Sequence, residues 1–282
     1  MNIKKLGTIL FGCILAGTVL VGCGGQQGNK AATHDTQIKV GTLTHLNASE
    51  EKINEIMRKI DEETEVKLSH DYIYYDKLTA MLMGYESGSV KEMSLYGSVA
   101  QYLINRNDKL AVVEHKNMKL EDDFCCAVRK EDQQLKAELD KAIDEMKADG
   151  TLDKLVKTYI TDLKKGEEPP AVAMPVTNGK KLKIAITGDL PPLDLVLADG
   201  TPAGFNTAVL AEIGKRLGRD VELVQVNSAA RSSALATKNV DVVFWVAVPK
   251  GDSRIPADID KPQDLELTIP YYQDKTVHVG QK

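Results

Sequence analysis

Two stretches of the chain repeat the same alternation of β-type and helical runs. In the first, QIKVGTLTH (37–45), EVKLSHDYI (65–73) and KEMSLYGSV (91–99) read as strands, separated by the helical runs SEEKINEIMRKIDEE (49–63) and YDKLTAMLMGYESG (75–88). In the second, KLKIAITGD (181–189), DVELVQVNS (220–228) and VDVVFWVAV (240–248) alternate with FNTAVLAEIGKRLG (205–218) and ARSSALATKN (230–239). The helical runs place apolar residues three and four apart, as at Ile53, Ile56, Met57 and Ile60, or Val209, Ile213 and Leu217. Asn47 or Ser49 is a suitable cap ahead of Glu50 and Glu51, and Gly218 is a suitable stop. Between the stretches, residues 132–163 predict a long helix with Leu135, Leu139, Ile143 and Met146 on one face. Gly150 breaks it, and Leu152, Leu155 and Val156 resume. Residues 164–181, KKGEEPPAVAMPVTNGKK, hold three prolines and no period, and read as a linker. Strand–helix alternation of this kind predicts an α/β protein whose sheets carry helices on both faces. The expected division is one α/β lobe at 37–163, the linker 164–181, and a second lobe at 182–282.

The amino terminus has a different pattern. Lys4 and Lys5 precede an apolar run from Leu6 to Val21, and small residues lead into Cys23. That is a secretory signal pattern. The run is short for a membrane span, which needs about 20 residues, and Leu20-Val21-Gly22-Cys23 resembles the bacterial lipobox. The resemblance implies a signal peptide over 1–22, cut ahead of a lipidated Cys23 that anchors the protein outside the cytoplasm, at the cell surface or in the periplasm. Residues 23–36 are small and polar, as a flexible tether would be.

With 43% hydrophobic and 27% charged residues, the 282-residue chain has an ordinary globular balance. The net charge of −5 argues against a nucleic-acid partner. Of the four cysteines, Cys13 lies in the signal and Cys23 takes the lipid. Cys125 and Cys126 are adjacent in FCCAVRK, encode no disulfide framework, and read as small buried hydrophobes.

Several motifs, taken in order, resemble family 3 extracellular solute-binding proteins, the polar amino-acid class of bacterial ABC importers. The second half carries GDLPPL (188–193), DGTPAGFNTAVLAEIGKRLGRDVELV (199–224), ALATKNVDVVF (234–244) and LTIPYY (267–272), which are similar to the family's first lobe. The first half carries KVGTLTHLNASEEK (39–52), GSVKEMSLYGSVAQYL (88–103), DKLAVVE (108–114) and FCCAVRKEDQQL through DGTLDKLVKTYI (124–160), which are similar to its second lobe. The lobes therefore stand in reversed order, as after a circular permutation joined through 164–181, or after duplication and divergence of one lobe. The resemblance implies a two-lobed, periplasmic-binding-protein-like (type II) clamp that closes on a small polar solute, an amino acid or a related compound. It implies a monomer with ABC permease subunits as partners.

In the family an arginine and hydroxyls hold an α-carboxylate, and an aspartate holds the α-amine. Here the residues after Asp241 read VVFWVAV without a hydroxyl, Arg254 stands near the expected arginine, and Tyr96 occupies the aspartate's place. Candidate ligand contacts are therefore Asp189, Arg231, Trp245 and Arg254 from one lobe, and Thr44, Asn47, Tyr96 and Ser98 from the other. Each has a plain structural alternative: Trp245 as core, Arg231 on a solvated turn, Asp189 as a turn cap.

The histidines at 34, 45, 70, 115 and 278 show no metal-binding spacing, and neither a GxSxG elbow nor a phosphate loop is present. The expectation is a binding protein with neither catalytic activity, metal nor cofactor. The other reading keeps the fold but makes the chain a sensing or degenerate surface lipoprotein without a transport role.

Overall fold

The computed structural model describes residues 37–64, 69–115 and 120–282. The signal, Cys23 and the tether lie outside the described residues. From the amino-terminal side the elements are β1 (Gln37–Leu43), α1 (Glu50–Glu63), β2 (Ser69–Tyr75), α2 (Leu78–Glu86), β3 (Glu92–Tyr96), α3 (Gly97–Ile104), β4 (Leu110–Val113) and β5 (Leu120–Arg129). Two helices follow, α4 (Gln133–Ala148) and α5 (Thr151–Val156), the second running into a π-helical turn at Lys157–Thr161. The second half holds β6 (Lys181–Ile186), the short strands β7 (Asp189–Leu190), β8 (Asp194–Val196) and β9 (Pro202–Ala203), then α6 (Phe205–Leu217) and β10 (Asp220–Gln225). It ends with α7 (Arg231–Ala236), β11 (Val242–Lys250), β12 (Leu265–Leu267) and β13 (Tyr272–Gln281).

Local chemistry sets the helix ends. Ser49 caps α1, its hydroxyl accepting the Lys52 N–H at 3.1 Å, and Ile56, Met57 and Ile60 form the buried face. Helix α6 stops at Gly218, which takes the left-handed φ of 60° that a C-terminal cap favours. The expected strand 91–99 ends early. Ser98 donates its N–H and hydroxyl to Asp274 at 3.0 and 2.6 Å, and that acceptor starts α3 at Gly97.

Among the described residues ten strands form one mixed sheet, ordered β10-β6-β11-β5-β13-β3-β1-β2, with β12 on β5 and β4 on β13. Both halves thus have the same parallel core, second strand, first strand, third strand. Val40 lies opposite both Tyr72 and Glu92, and Ile184 opposite both Leu223 and Val242. Each core is then completed by a long antiparallel strand from the other half of the sequence. Strand β5 pairs with β11, β13 pairs with β3, and the two meet between Phe124↔Tyr272 and Leu120↔Thr276. The result is a two-lobed, type II α/β architecture stitched by two exchanged strands.

Strand β5 is buried from Asp122 to Arg129. Both cysteines are free and buried in it. Residues 164–181 run along the body: Val172 donates its N–H to Pro202 O at 2.8 Å, and Tyr102 donates its hydroxyl to Glu168 at 2.6 Å.

Candidate functional site

The parallel strands β1 and β3 end at a cleft between the half-sheets, where α/β ligand sites form. Its walls are mostly apolar, with Leu43, Leu95 and Tyr96 from the strands, Ile53 and Met57 from α1, and Leu190, Ala247, Ile255 and Ile259 facing them. The wall's carboxylates and imidazole are His45, Asp122 and Asp260, beside the phenols of Tyr72 and Tyr96.

The two carboxylates have opposite environments. Asp260 is buried, accepts the N–H groups of Asn47 and Ala48 at 2.7 and 3.2 Å, and lies 3.5 Å from His45 Nδ1. Burial acts to raise its pKa, but the His45 ring and neighbouring backbone N–H groups hold it below the ordinary carboxylate value. Asp122 accepts the Thr276 hydroxyl. Burial lifts its carboxyl above the ordinary value, with Asp274 and Asp123 adding to the rise and Thr276 and His45 opposing it.

Four of the residues singled out from the sequence meet one another, and of these Tyr96 lines the cleft. Arg231 is 1% exposed. Its guanidinium donates to the carbonyls of Ser228 (3.2 Å), Trp245 (2.8 Å) and Thr44 (3.2 Å), and lies 4.3 Å over the Trp245 ring. The bond to Thr44 joins the two halves of the sequence. Trp245 is buried, takes a φ of 45°, and sits at the irregularity in the β11–β5 register between Val243 and Val246. A left-handed non-glycine residue stores about 1–3 kcal/mol of strain. Its indole Nε1 is buried with no hydrogen-bond partner. Tyr96 stands edge-on to Trp245 at 5.6 Å and to Phe124 at 4.7 Å, and burial pushes its hydroxyl pKa well up.

The other four lie apart from that group. Asp189 accepts at 3.5 Å from both the N–H and the hydroxyl of Thr79, again across the two halves. Asn47 donates its side-chain amide to Ile259 O at 3.2 Å. Ser98 is committed to Asp274. Arg254 forks onto Asp252 and reaches Glu63 at 3.6 Å.

Sequence reasoning passed over Asp122, Asp260 and His45. LEDDFCCAVR marks a strand without marking which aspartate faces the cleft. It also passed over a second group. His70, Glu92, His115 and His278 each bring one ligand-type atom within 4.8 Å of the others. They come from β2, β3, the residue pair after β4, and β13, so no local spacing announces them.

The profile described as bacterial extracellular solute-binding proteins, family 3, matches residues 44–162 and 182–255. No curated protein matches. Among solved structures, a ligand-binding component of an ABC-type import system from Staphylococcus aureus, with zinc bound, is similar at 11% identity and a TM-score of 0.45, covering 87% of this chain and 66% of that one. A pheromone cOB1 precursor/lipoprotein of the YaeC family from Enterococcus faecalis is similar at 11% identity and a TM-score of 0.43, covering 87% and 85%. A nutrient-binding protein from Burkholderia cenocepacia bound to methionine is similar at 13% identity and a TM-score of 0.41, covering 86% and 84%.

Proposed function

Because the chain belongs to the bacterial extracellular solute-binding proteins, family 3, we propose that it captures a small amine-bearing solute in the cleft and presents it to the permease of an ABC importer. The observation that carries the ligand class is the charge of the wall. Asp122 and Asp260 line the cleft, while the guanidinium of Arg231 is spent on three backbone carbonyls. An amine entering an apolar pocket needs a carboxylate partner, because an unpaired buried charge is costly. Asp122 is the partner we assign, with Leu43, Leu95 and Met57 against the apolar part of the solute. An amino acid or related compound held through its amine meets this description.

Capture and release follow from the exchanged strands. Bending at β5 and β13 moves one half-sheet against the other. The bonds Arg231–Thr44 and Asp260–Asn47 form in the closed state, so the permease meets a loaded form distinct from the open one. In this reading Thr44, Tyr96, Arg231 and Trp245 frame the cleft edge, and Asp189, Asn47, Ser98 and Arg254 act around its mouth. The halves 37–163 and 182–282 stand in permuted order, joined by 164–181, each lending one strand (β5 or β13) to the other's sheet, and a monomer is held at the membrane by lipidated Cys23.

A second reading keeps the fold without transport: a sensing or degenerate surface lipoprotein. It is favoured by the commitment of Arg231 to the protein's own carbonyls. Thermal shift and calorimetry on the full chain separate the two, using amines, amino acids, amino-acid amides and carboxylic acids lacking an amine. A ligand at 100-fold its Kd adds about 2.7 kcal/mol, so amine-bearing apolar compounds raise Tm by several degrees. Asp122→Asn removes that response. A response to carboxylic acids alone overturns the ligand class, and a flat panel favours the second reading.

A further inference from the structure

At the amino-terminal ends of the same strands, three imidazoles and a carboxylate crowd together. The rings of His70, His115 and His278 lie 4.7, 4.7 and 5.4 Å apart, centroid to centroid. Glu92 Oε2 is 2.8 Å from both His115 Nε2 and His278 Nδ1. His70, Glu92 and His278 are buried, and His115 sits half-buried at the rim.

Partners on the outer side fix two of these rings. Asp61, near the end of α1, accepts the His70 N–H at 2.9 Å and lies 3.4 Å from His70 Nδ1. That contact places the ring proton on Nδ1 and leaves Nε2 as a lone-pair donor. His70 Nε2 is buried and has no hydrogen-bond partner. Tyr72 Oη lies 3.2 Å from His278 Nε2, on the ring edge opposite Glu92. A carboxylate or hydroxyl behind each imidazole is the usual support of a metal-ligating histidine.

We propose that His70, Glu92, His115 and His278 bind a resident divalent transition metal, zinc foremost. Three imidazole nitrogens and one carboxylate oxygen suit zinc and its neighbours, whereas calcium and magnesium require oxygen donors. Tetrahedral zinc at about 2.0–2.2 Å from each ligand holds the ligand atoms roughly 3.4 Å apart. Atoms now within 4.8 Å reach that spacing by small side-chain rotations. Entry of the ion opens the two hydrogen bonds to Glu92. His278 then carries its proton on Nε2, facing Tyr72. An ion also satisfies His70 Nε2, which is otherwise buried without a partner.

Four protein donors close the coordination sphere, so the ion is structural in kind and distinct from the solute in the cleft. It ties the terminal strand β13 and the segment after β4 to β2 and β3. The open groove beside His115, between Val113 and Leu120, is its entry path.

The test is titration of the chelator-stripped full chain with zinc chloride by calorimetry, and with cobalt(II) by visible absorption. The expected result is one equivalent of zinc, a Tm raised by several degrees, and intense cobalt bands of a four-coordinate nitrogen–oxygen site. His115→Ala removes a ligand at the rim and weakens binding at least tenfold, and its Tm in chelator, read beside that of the stripped parent, separates the lost Glu92 hydrogen bond from lost metal binding. Glu92→Gln serves as a second variant and weakens binding likewise. Absence of saturable uptake, or uptake unchanged in both variants, overturns the site. Neither result depends on the cleft ligand, so the zinc site and the solute-binding reading fail separately.

Discussion

The two ends of one sheet face can be compared directly. At the carboxyl ends of β1 and β3 lies an apolar cleft whose carboxylates are held by backbone N–H groups and a hydroxyl. At the amino ends lies a polar cluster whose carboxylate is held by two imidazoles and whose third imidazole has a nitrogen left over. Helix α1 serves both: Ile53 and Met57 face the cleft, and Asp61 holds His70. Tyr72 touches both, lining the cleft and meeting His278. The same strand register can thus build two unlike sites, one walled by apolar side chains and two carboxylates, the other leaving His70 Nε2 without a partner.

The comparison breaks most visibly at Arg231. Replacing it with Met takes the side-chain donor from the carbonyls of Thr44 and Trp245, while Ser228 O keeps the main-chain N–H of residue 231. We expect a loss of about 3 kcal/mol or more, a fall in Tm on the order of 10 °C, measured by calorimetric melting. The zinc-induced rise in Tm should survive in that variant, because the cluster lies at the other end of the sheet.

Tyr72→Phe probes the contact between the ends. Losing the hydroxyl behind His278 should cost about 1 kcal/mol of stability and about tenfold or more in zinc affinity. Calorimetry on both ligands reads the result. An equal loss of solute affinity would mean that the ends act as one unit.

The finest distinction lies within the cleft and appears with pH. Asp260 titrates below its ordinary value in the fold, so its stabilising contribution is present above about pH 4 and lost as pH falls through the lowered value. Asp122 titrates above its ordinary value, so its contribution is complete below about pH 4 and lost as pH rises through the raised value. Urea unfolding from about pH 2 to about pH 7 should show the gap between parent and Asp260→Asn widening as pH rises to about 4 and holding level above it. The gap for Asp122→Asn should shift the opposite way. Parallel curves would remove the contrast drawn between the two carboxylates.

Much of the fold was legible because its signals are local. The three- and four-residue spacing at Ile53, Ile56, Met57 and Ile60 predicts the buried face of α1, and Gly218 predicts the end of α6. The strand expected over 91–99 was misjudged at its end, since the acceptor that starts α3, Asp274, lies 176 residues away in the chain. The candidate site was less legible. Arg231, Trp245, Tyr96 and Thr44 were all named from the sequence, and the fold does gather them. That the guanidinium is taken up by carbonyls could not be read from RSSALATK, because backbone acceptors carry no residue signature.

Sequence alone determined the two strand–helix alternations and the family, since periodicity, caps and motif succession are properties of neighbours along the chain. Only the tertiary structure decided that β5 and β13 exchange between half-sheets, and that His70, Glu92, His115 and His278 meet. The physical reason is that pairing between distant strands depends on register: His278 faces Ser94 and Val113, and Val40 faces Glu92. Those pairings exist only once the whole sheet has closed.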